Sequence, residues 1–225
     1  MGKYFVTHGE EVSGFYSRTV NSAKEAAKFC NTKYFSELDS LIEVSDTLFI
    51  TVTDGAIKEV WDCIAGYDLT GKILCHCSGS LSSNVFSGIE QTGAVGCSIH
   101  PMYAFSDRFT SYQNFSTAYL VAEGMPAAYE PLAQMFRELG HTVLYLRAEN
   151  KVKYHAAAAM VSNDMIALFQ TVLDLLEQCG FAREDSVGLL RPLVMGNVSN
   201  MLDKGPVAAL TGPVAVSYTH LTLPT

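Results

Sequence analysis

The chain has 225 residues, 48% hydrophobic and 17% charged, with 17 Gly against 7 Pro. This composition excludes a disordered, collagen-like or low-complexity chain and leaves room for one domain plus a smaller second. A net charge of −8 without a basic run argues against nucleic acid and anionic membrane surfaces as partners.

No continuous apolar run reaches the roughly 18–20 residues of a membrane span. The first ten residues are too polar for a signal peptide, and Val6 stands where myristoylation of Gly2 needs Ser or Thr. The 6 cysteines mostly fall inside apolar runs. With no export signal, a reduced, cytoplasmic chain is expected.

In chain order, residues 2–8 read as the last turns of a helix stopped by Gly9, and residues 11–16 as a strand. In a dinucleotide-binding unit such a helix follows a strand and a Gly-rich turn that holds the pyrophosphate. Neither is in this sequence. The chain is therefore expected to be truncated at its N-terminus, with Met1 an internal residue; the alternative is a related fold that never had the motif. Further strands are expected at 46–52, 72–77, 94–99, 117–122 and 142–146, with a weak one at 33–35. Helical patterns lie at 20–30, 37–44, 56–65, 81–91 and 127–139. Strands alternating with helices of this length point to parallel pairing through right-handed crossovers. The run Thr47-Leu48-Phe49-Ile50-Thr51-Val52 suits a sheet covered on both faces. The expected class is α/β, doubly wound and mostly parallel.

The pattern changes after Glu149. From 151 to 179, Tyr154, Ala157, Val161, Met165, Leu168, Val172, Leu175 and Cys179 recur at helical spacing, with Ile166, Phe169, Leu173 and Leu176 on a second face. That helix should be buried on more than one side and stop at Gly180. Another follows at 184–202, with Pro192 expected to kink it. The surplus apolar surface makes a homodimer through these C-terminal helices the expected assembly.

Candidate functional residues cluster at strand ends, which line the ligand crevice in open α/β sheets. Ser17 and Arg18 follow the strand at 11–16; an Arg beside a hydroxyl suits the 2′-phosphate of NADP, or caps a surface loop. Thr53 and Asp54 end the next strand and face a cofactor, Asp54 also being a natural N-cap. Ser78 and Gly79, after His76 and Cys77, form a tight turn offering a hydroxyl and N–H donors. Alternation sends His76 to one face and Cys75 and Cys77 to the other, which argues against zinc. No G-x-S-x-G elbow surrounds Ser78, so a nucleophilic role is not expected. His100 ends the strand at 94–99, stiffened by Pro101. Lys151 and His155 lie on one face at the start of the long helix, where the positive helix end eases proton donation from Lys151. Asn163, two turns past His155, is a polar residue on an apolar helix that reaches toward substrate.

Together, residues 12–18, 46–57, the H-C-S-G-S run from His76, the S-I-H-P run from Ser98, residues 151–163 and Leu210-Thr211-Gly212-Pro213 resemble a known family. It comprises Rossmann-like NAD(P)-binding proteins carrying a C-terminal helical domain of unknown function, related to pyrroline-5-carboxylate reductase and to deazaflavin-dependent NADP reductases. The resemblance spans residues 2–215. It implies an incomplete Rossmann-like domain at 1–147, a helical domain at 148–215 and a non-native, adapter-like tail at 216–225. The activity implied is hydride transfer to or from a small imine, ketone or hydroxy compound, with NADP favoured over NAD. Lys151, His155 and His100 are the candidate catalytic groups, and His100 and Asn163 the candidate substrate contacts. Ser17, Arg18, Thr53, Asp54, Ser78 and Gly79 would bind the cofactor, and no metal is expected. The alternative is a non-catalytic nucleotide-binding or regulatory protein on the same fold.

Overall fold

Thr47-Leu48-Phe49-Ile50 is too apolar to leave either face in water, and it forms β1 (Thr47–Ile50) of a sheet covered on both sides. The computed structural model describes residues 1–210, as a unit of Met1–Ser162 and a second unit from Asn163 onward. Residues 211–213 of the family-like segment and the adapter-like tail at 216–225 lie outside the described residues.

In the first unit, β1 is followed by β2 (Ile73–His76), β3 (Val95–Met102), β4 (Tyr119–Gly124) and β5 (Thr142–Tyr145), in the spatial order β1-β2-β3-β4-β5. The first three are parallel, and β5 is parallel to β4. The doubly wound, mostly parallel class expected from the sequence is the one observed. The exception to parallel pairing falls where no helix was expected between two strands: β4 runs antiparallel to β3. Between them lie a loop and a 3₁₀ stretch, Ser111–Thr117, and no α-helix of the kind that usually carries a parallel crossover.

The flanking helices are α1 (Gly2–Thr7), α2 (Val20–Cys30), α3 (Leu38–Glu43), α4 (Asp54–Ile64) and α5 (Pro126–Glu138). Leu48, Ile50 and Leu74 point to one face and pack with Ile42 of α3 and with Ile57, Trp61 and Ile64 of α4. Phe49, Cys75 and Ile99 point to the other, against Tyr4 and Phe5 of α1 and Leu132 and Phe136 of α5. Burying a side chain such as Trp61 or Phe136 contributes about 1.5–3 kcal/mol.

Three local expectations are corrected. Residues 11–16 form no ladder strand: polar Glu11 and Ser13 and the close-packed Gly14 leave only Phe15 bridged to Tyr34, near the weak strand expected at 33–35. Residues 81–91 form no α-helix but two short 3₁₀ turns, Ser83–Val85 and Ile89–Thr92. Gly88 and Gly93, both left-handed, break any longer helical run there. The N-cap of α4 is Thr53, so Asp54 is the helix's first residue and its carboxylate is free to bond elsewhere.

The long helix begins as α6 (Lys151–Ala159), passes through a π-helical turn at Met160–Asp164 and continues as α7 (Met165–Gln178). The first unit extends beyond residue 147 because Lys151 and Tyr154 pack into it. The 31-residue stretch Ala148–Gln178 is long and apolar enough, by length and composition, to cross a membrane. A search for uninterrupted apolar runs misses it because Lys151, Lys153, Asp164 and Asp174 are spread along it.

In the second unit, α7 packs on α8 (Arg183–Lys204), which contains Pro192, and α9 (Pro206–Ala209) follows. Here the expectation of burial on several sides fails. Leu173 is buried, whereas Met165, Ile166, Leu168 and Leu175 are exposed; among the described residues of the unit, α8 is the element that packs on α7. This is the surface that the homodimer expectation concerns.

Candidate active site

The register across the parallel strands sets Ile50 beside His76 and His76 beside Ser98. Two residues further along, the chain delivers Val52, Ser78 and His100 to the same, carboxyl-terminal edge of the sheet. That edge is where open α/β sheets bind ligands. Asp54 turns back from α4 and accepts hydrogen bonds from Ser78 Oγ at 2.8 Å and Ser80 Oγ at 2.7 Å. Partial burial raises the Asp54 pKa, but the hydrogen bonds from Ser80 and Ser78 and the fields of His155 and His76 outweigh it and leave it lowered.

Lys151 is only 1% exposed, an unusual place for an ammonium. Its Nζ donates to the Ser78 carbonyl at 2.7 Å and to Ser98 Oγ at 2.9 Å. Ser98 in turn donates to Glu123 Oε2 at 3.1 Å, and Glu123 also accepts from Ser83 N and Ser83 Oγ, both at 2.8 Å. Burial pulls the Lys151 pKa down, against the opposing pull of Glu123 and Asp54. The chain Lys151–Ser98–Glu123–Ser83 thus ties the start of α6 to β3, β4 and the 3₁₀ turn after β2.

Gly79 lies under two imidazoles. A Cβ there would stand 2.9 Å from His100 Nε2 and 2.9 Å from His155 Nδ1. His100 Nδ1 is paired with the Tyr154 hydroxyl at 2.7 Å. His155 is exposed and His100 half-buried, whereas His76 is fully buried, its Nδ1 accepting from Ser78 N at 3.2 Å and its Nε2 facing the Ser82 carbonyl at 3.3 Å.

His76 and His100 are both pushed down from 6.5 to about 4, first by burial and in both cases also by the charge of Lys151. Both are therefore neutral in the folded chain at pH 7, and the unfolded chain takes up their protons first as pH falls. Their contribution to stability is complete above about pH 6.5 and is lost as pH falls toward about 4. We expect urea denaturation to show a plateau at neutral pH and a loss of about 2–4 kcal/mol across that window, His100 being discounted for its exposure. A stability independent of pH between those values would contradict the assignment.

Of the residues expected from the sequence, the structure brings together Asp54, Ser78, Gly79, His100, Lys151 and His155. Thr53 is exposed at the start of α4. Ser17 is half-buried and Arg18 exposed, just before Thr19, the N-cap residue of α2. Asn163 is exposed and opens the second unit. Sequence reasoning missed Ser80, Ser83, Ser98, Glu123 and Tyr154. Glu123 carried a signal: it is the lone charge in the apolar run Tyr119-Leu120-Val121-Ala122-Glu123.

Residues 118–216 match the family model DUF2520, "Domain of unknown function". No curated protein matches the chain. Among solved structures, protein TM1727 from Thermotoga maritima is 25% identical with a TM-score of 0.70, over 88% of this chain and 74% of that one. A candidate NADP oxidoreductase, BF3122 from Bacteroides fragilis, is 23% identical with a TM-score of 0.69, over 94% of this chain and 79% of that one. A pyrroline-5-carboxylate reductase from Coxiella burnetii is 12% identical with a TM-score of 0.60, over 99% of this chain and 80% of that one. The family model covers residues 118–216 as a domain of unknown function, and the solved structures share the Rossmann-like fold that the resemblance implies.

Proposed function

We propose that this chain is an NAD(P)-dependent oxidoreductase, using NADP, that reduces a small imine or ketone or oxidises the matching amine or hydroxy compound. The observation that carries the reading is the convergence of Asp54, Ser78, Gly79, His100 and His155 at the carboxyl edge of three parallel strands. The solved structures whose descriptions include NADP oxidoreductase and imine reductase support the same class.

The residues present fit a dinucleotide. Arg18 is exposed and has no carboxylate partner among the described residues. It stands one residue before Thr19, the N-cap residue of the 11-residue α2, whose N-terminus receives no side-chain cap. A guanidinium, the Ser17 hydroxyl and uncapped helix N–H groups together make a donor set for a phosphate dianion. Thr53, Asp54, Ser78 and Gly79 would hold the nicotinamide end. When bound, the cofactor supplies or accepts the hydride. The chain orients the reactants and handles one proton. In this proposal exposed His155 exchanges that proton with the substrate, His100 contacts the reacting group, and Lys151, with two of its three donors spent, fixes the Ser78 turn.

Titration calorimetry tests the reading. Arg18→Ala should weaken NADP by about 1–3 kcal/mol, the range for charge-assisted hydrogen bonds, and leave NAD almost unchanged. An equal loss for both would overturn the Arg18 assignment. NADP binding without NADPH oxidation across a panel of imines and ketones would favour a non-catalytic nucleotide-binding protein.

A further inference from the structure

The proton-handling assignment gives no role to Tyr154, the hydrogen-bond partner of His100. The Tyr154 hydroxyl on α6 lies 2.7 Å from His100 Nδ1 on β3, with the rings edge-on at 85° and their centroids 5.5 Å apart. Two groups at this distance share a single proton, so one of them must donate. Burial pushes the Tyr154 phenol up to about 12, so it keeps its hydrogen at neutral pH. His100 is pushed down to about 4 by burial and by the charges of Lys151 and His155, with Asp54 opposing, and is neutral there. A neutral imidazole that accepts at Nδ1 carries its hydrogen at Nε2. That nitrogen is the one lying against Gly79, beside His155 Nδ1.

We propose that Tyr154 is a positioning residue: its phenol donates to His100 Nδ1 and locks His100 as the Nε2–H tautomer, making it a neutral hydrogen-bond donor at the Gly79 turn. Such a donor suits a ligand atom with a free lone pair, a carbonyl oxygen or a neutral imine nitrogen. It repels a group that is already protonated and has only hydrogens to offer. A neutral N–H also polarises its acceptor without adding a second cation beside buried Lys151. The 2.7 Å contact requires that one of the two groups donate, a role we assign to the phenol; use of the locked tautomer on a substrate rests in addition on the oxidoreductase reading.

The test is ring-nitrogen NMR of the full chain labelled with 15N-histidine, with His100 identified by its loss in His100→Gln. The wild-type protein should show His100 as the Nε2–H tautomer, resisting protonation until the pH approaches about 4. Tyr154→Phe removes the donor and keeps the ring. It should give a mixture of tautomers and raise the His100 titration midpoint by about 0.5 unit or more. The ring signals of buried His76 and His141 report whether the variant is folded, and a purely packing role for Tyr154 would move neither tautomer nor midpoint. An Nδ1–H tautomer in the wild type, or an unchanged His100 in a folded Tyr154→Phe, would overturn the proposal. If the variant fails to fold, the wild-type tautomer decides alone. Because no cofactor or substrate is present, the outcome is separate from that of the NADP titration.

Discussion

Replacing Glu123 by Ala is expected to cost the protein about 3–5 kcal/mol of stability, the largest loss from any single side chain of the site. Glu123 is 3% exposed, and its carboxylate accepts from Ser83 N, Ser83 Oγ and Ser98 Oγ. It is also the foremost negative charge acting on buried Lys151. Hydrogen bonds to a charged group contribute about 1.5–3 kcal/mol each and do not add fully. Truncation also leaves a cavity, a buried N–H without its acceptor and an ammonium whose nearest compensation is gone. A domain with a total margin of about 5–15 kcal/mol has little to spare after such a loss. Glu123→Gln keeps the shape but turns an amide N–H₂ toward groups that donate, so an intermediate loss of about 1–3 kcal/mol is expected. Urea denaturation of both variants gives the comparison; a Glu123→Ala protein within about 1 kcal/mol of wild type would show that the network does not hold these elements together.

The contrast between Glu123 and Lys151 shows what could be read from the chain and what could not. Lys151 is legible because it opens a helix beside His155 at helical spacing, and periodicity reports such neighbours directly. Its burial is not legible. Burial depends on Ser98 and Glu123, which reach it from β3 and β4, and on β4 running antiparallel to β3. Strand periodicity carries no direction, so the Ser98–Glu123 register could not be foreseen from it. Tyr154 was hidden for another reason: it begins an apolar stripe and reads as core, whereas its hydroxyl is its functional end.

Local chemistry was the more reliable guide where one principle dominated. The amphipathic stretch at 20–30 becomes α2 over the same residues, and Gly180 follows the helix that it was expected to stop. It was less reliable where two principles competed. At 81–91 an apolar spacing compatible with a helix lost to the left-handed Gly88 and Gly93. At 165–175 the apolar faces of α7 were read as buried, although packing against α8 among the described residues covers one stripe and leaves Met165, Ile166, Leu168 and Leu175 exposed.

Adding a single methyl group at Gly79 is expected to lower turnover by about 100-fold or more while costing only about 1–3 kcal/mol of stability. Gly79 is not needed for a left-handed backbone; it is needed for space. The new Cβ would stand 2.9 Å from His100 Nε2 and from His155 Nδ1, closer than a carbon and a ring nitrogen can approach. Both rings must swing away, and each has somewhere to go: His155 is exposed, and His100 is half-buried and can turn only by leaving Tyr154. The fold absorbs the change because the displaced atoms are side-chain ends. The chemistry does not, since a misplacement of about 1 Å at a reacting group costs on the order of 100-fold. NADP affinity should fall much less than turnover, because Ser17 and Arg18, the residues proposed to hold the phosphate, are not among the atoms the methyl meets. Gly79→Ala that folds, binds NADP and turns over at the wild-type rate on an identified imine or ketone would mean that neither His100 nor His155 serves the reaction. Should the same variant restore full activity when His155 is also replaced by Ala, His100 would remain as the working group and His155 would be the clash alone.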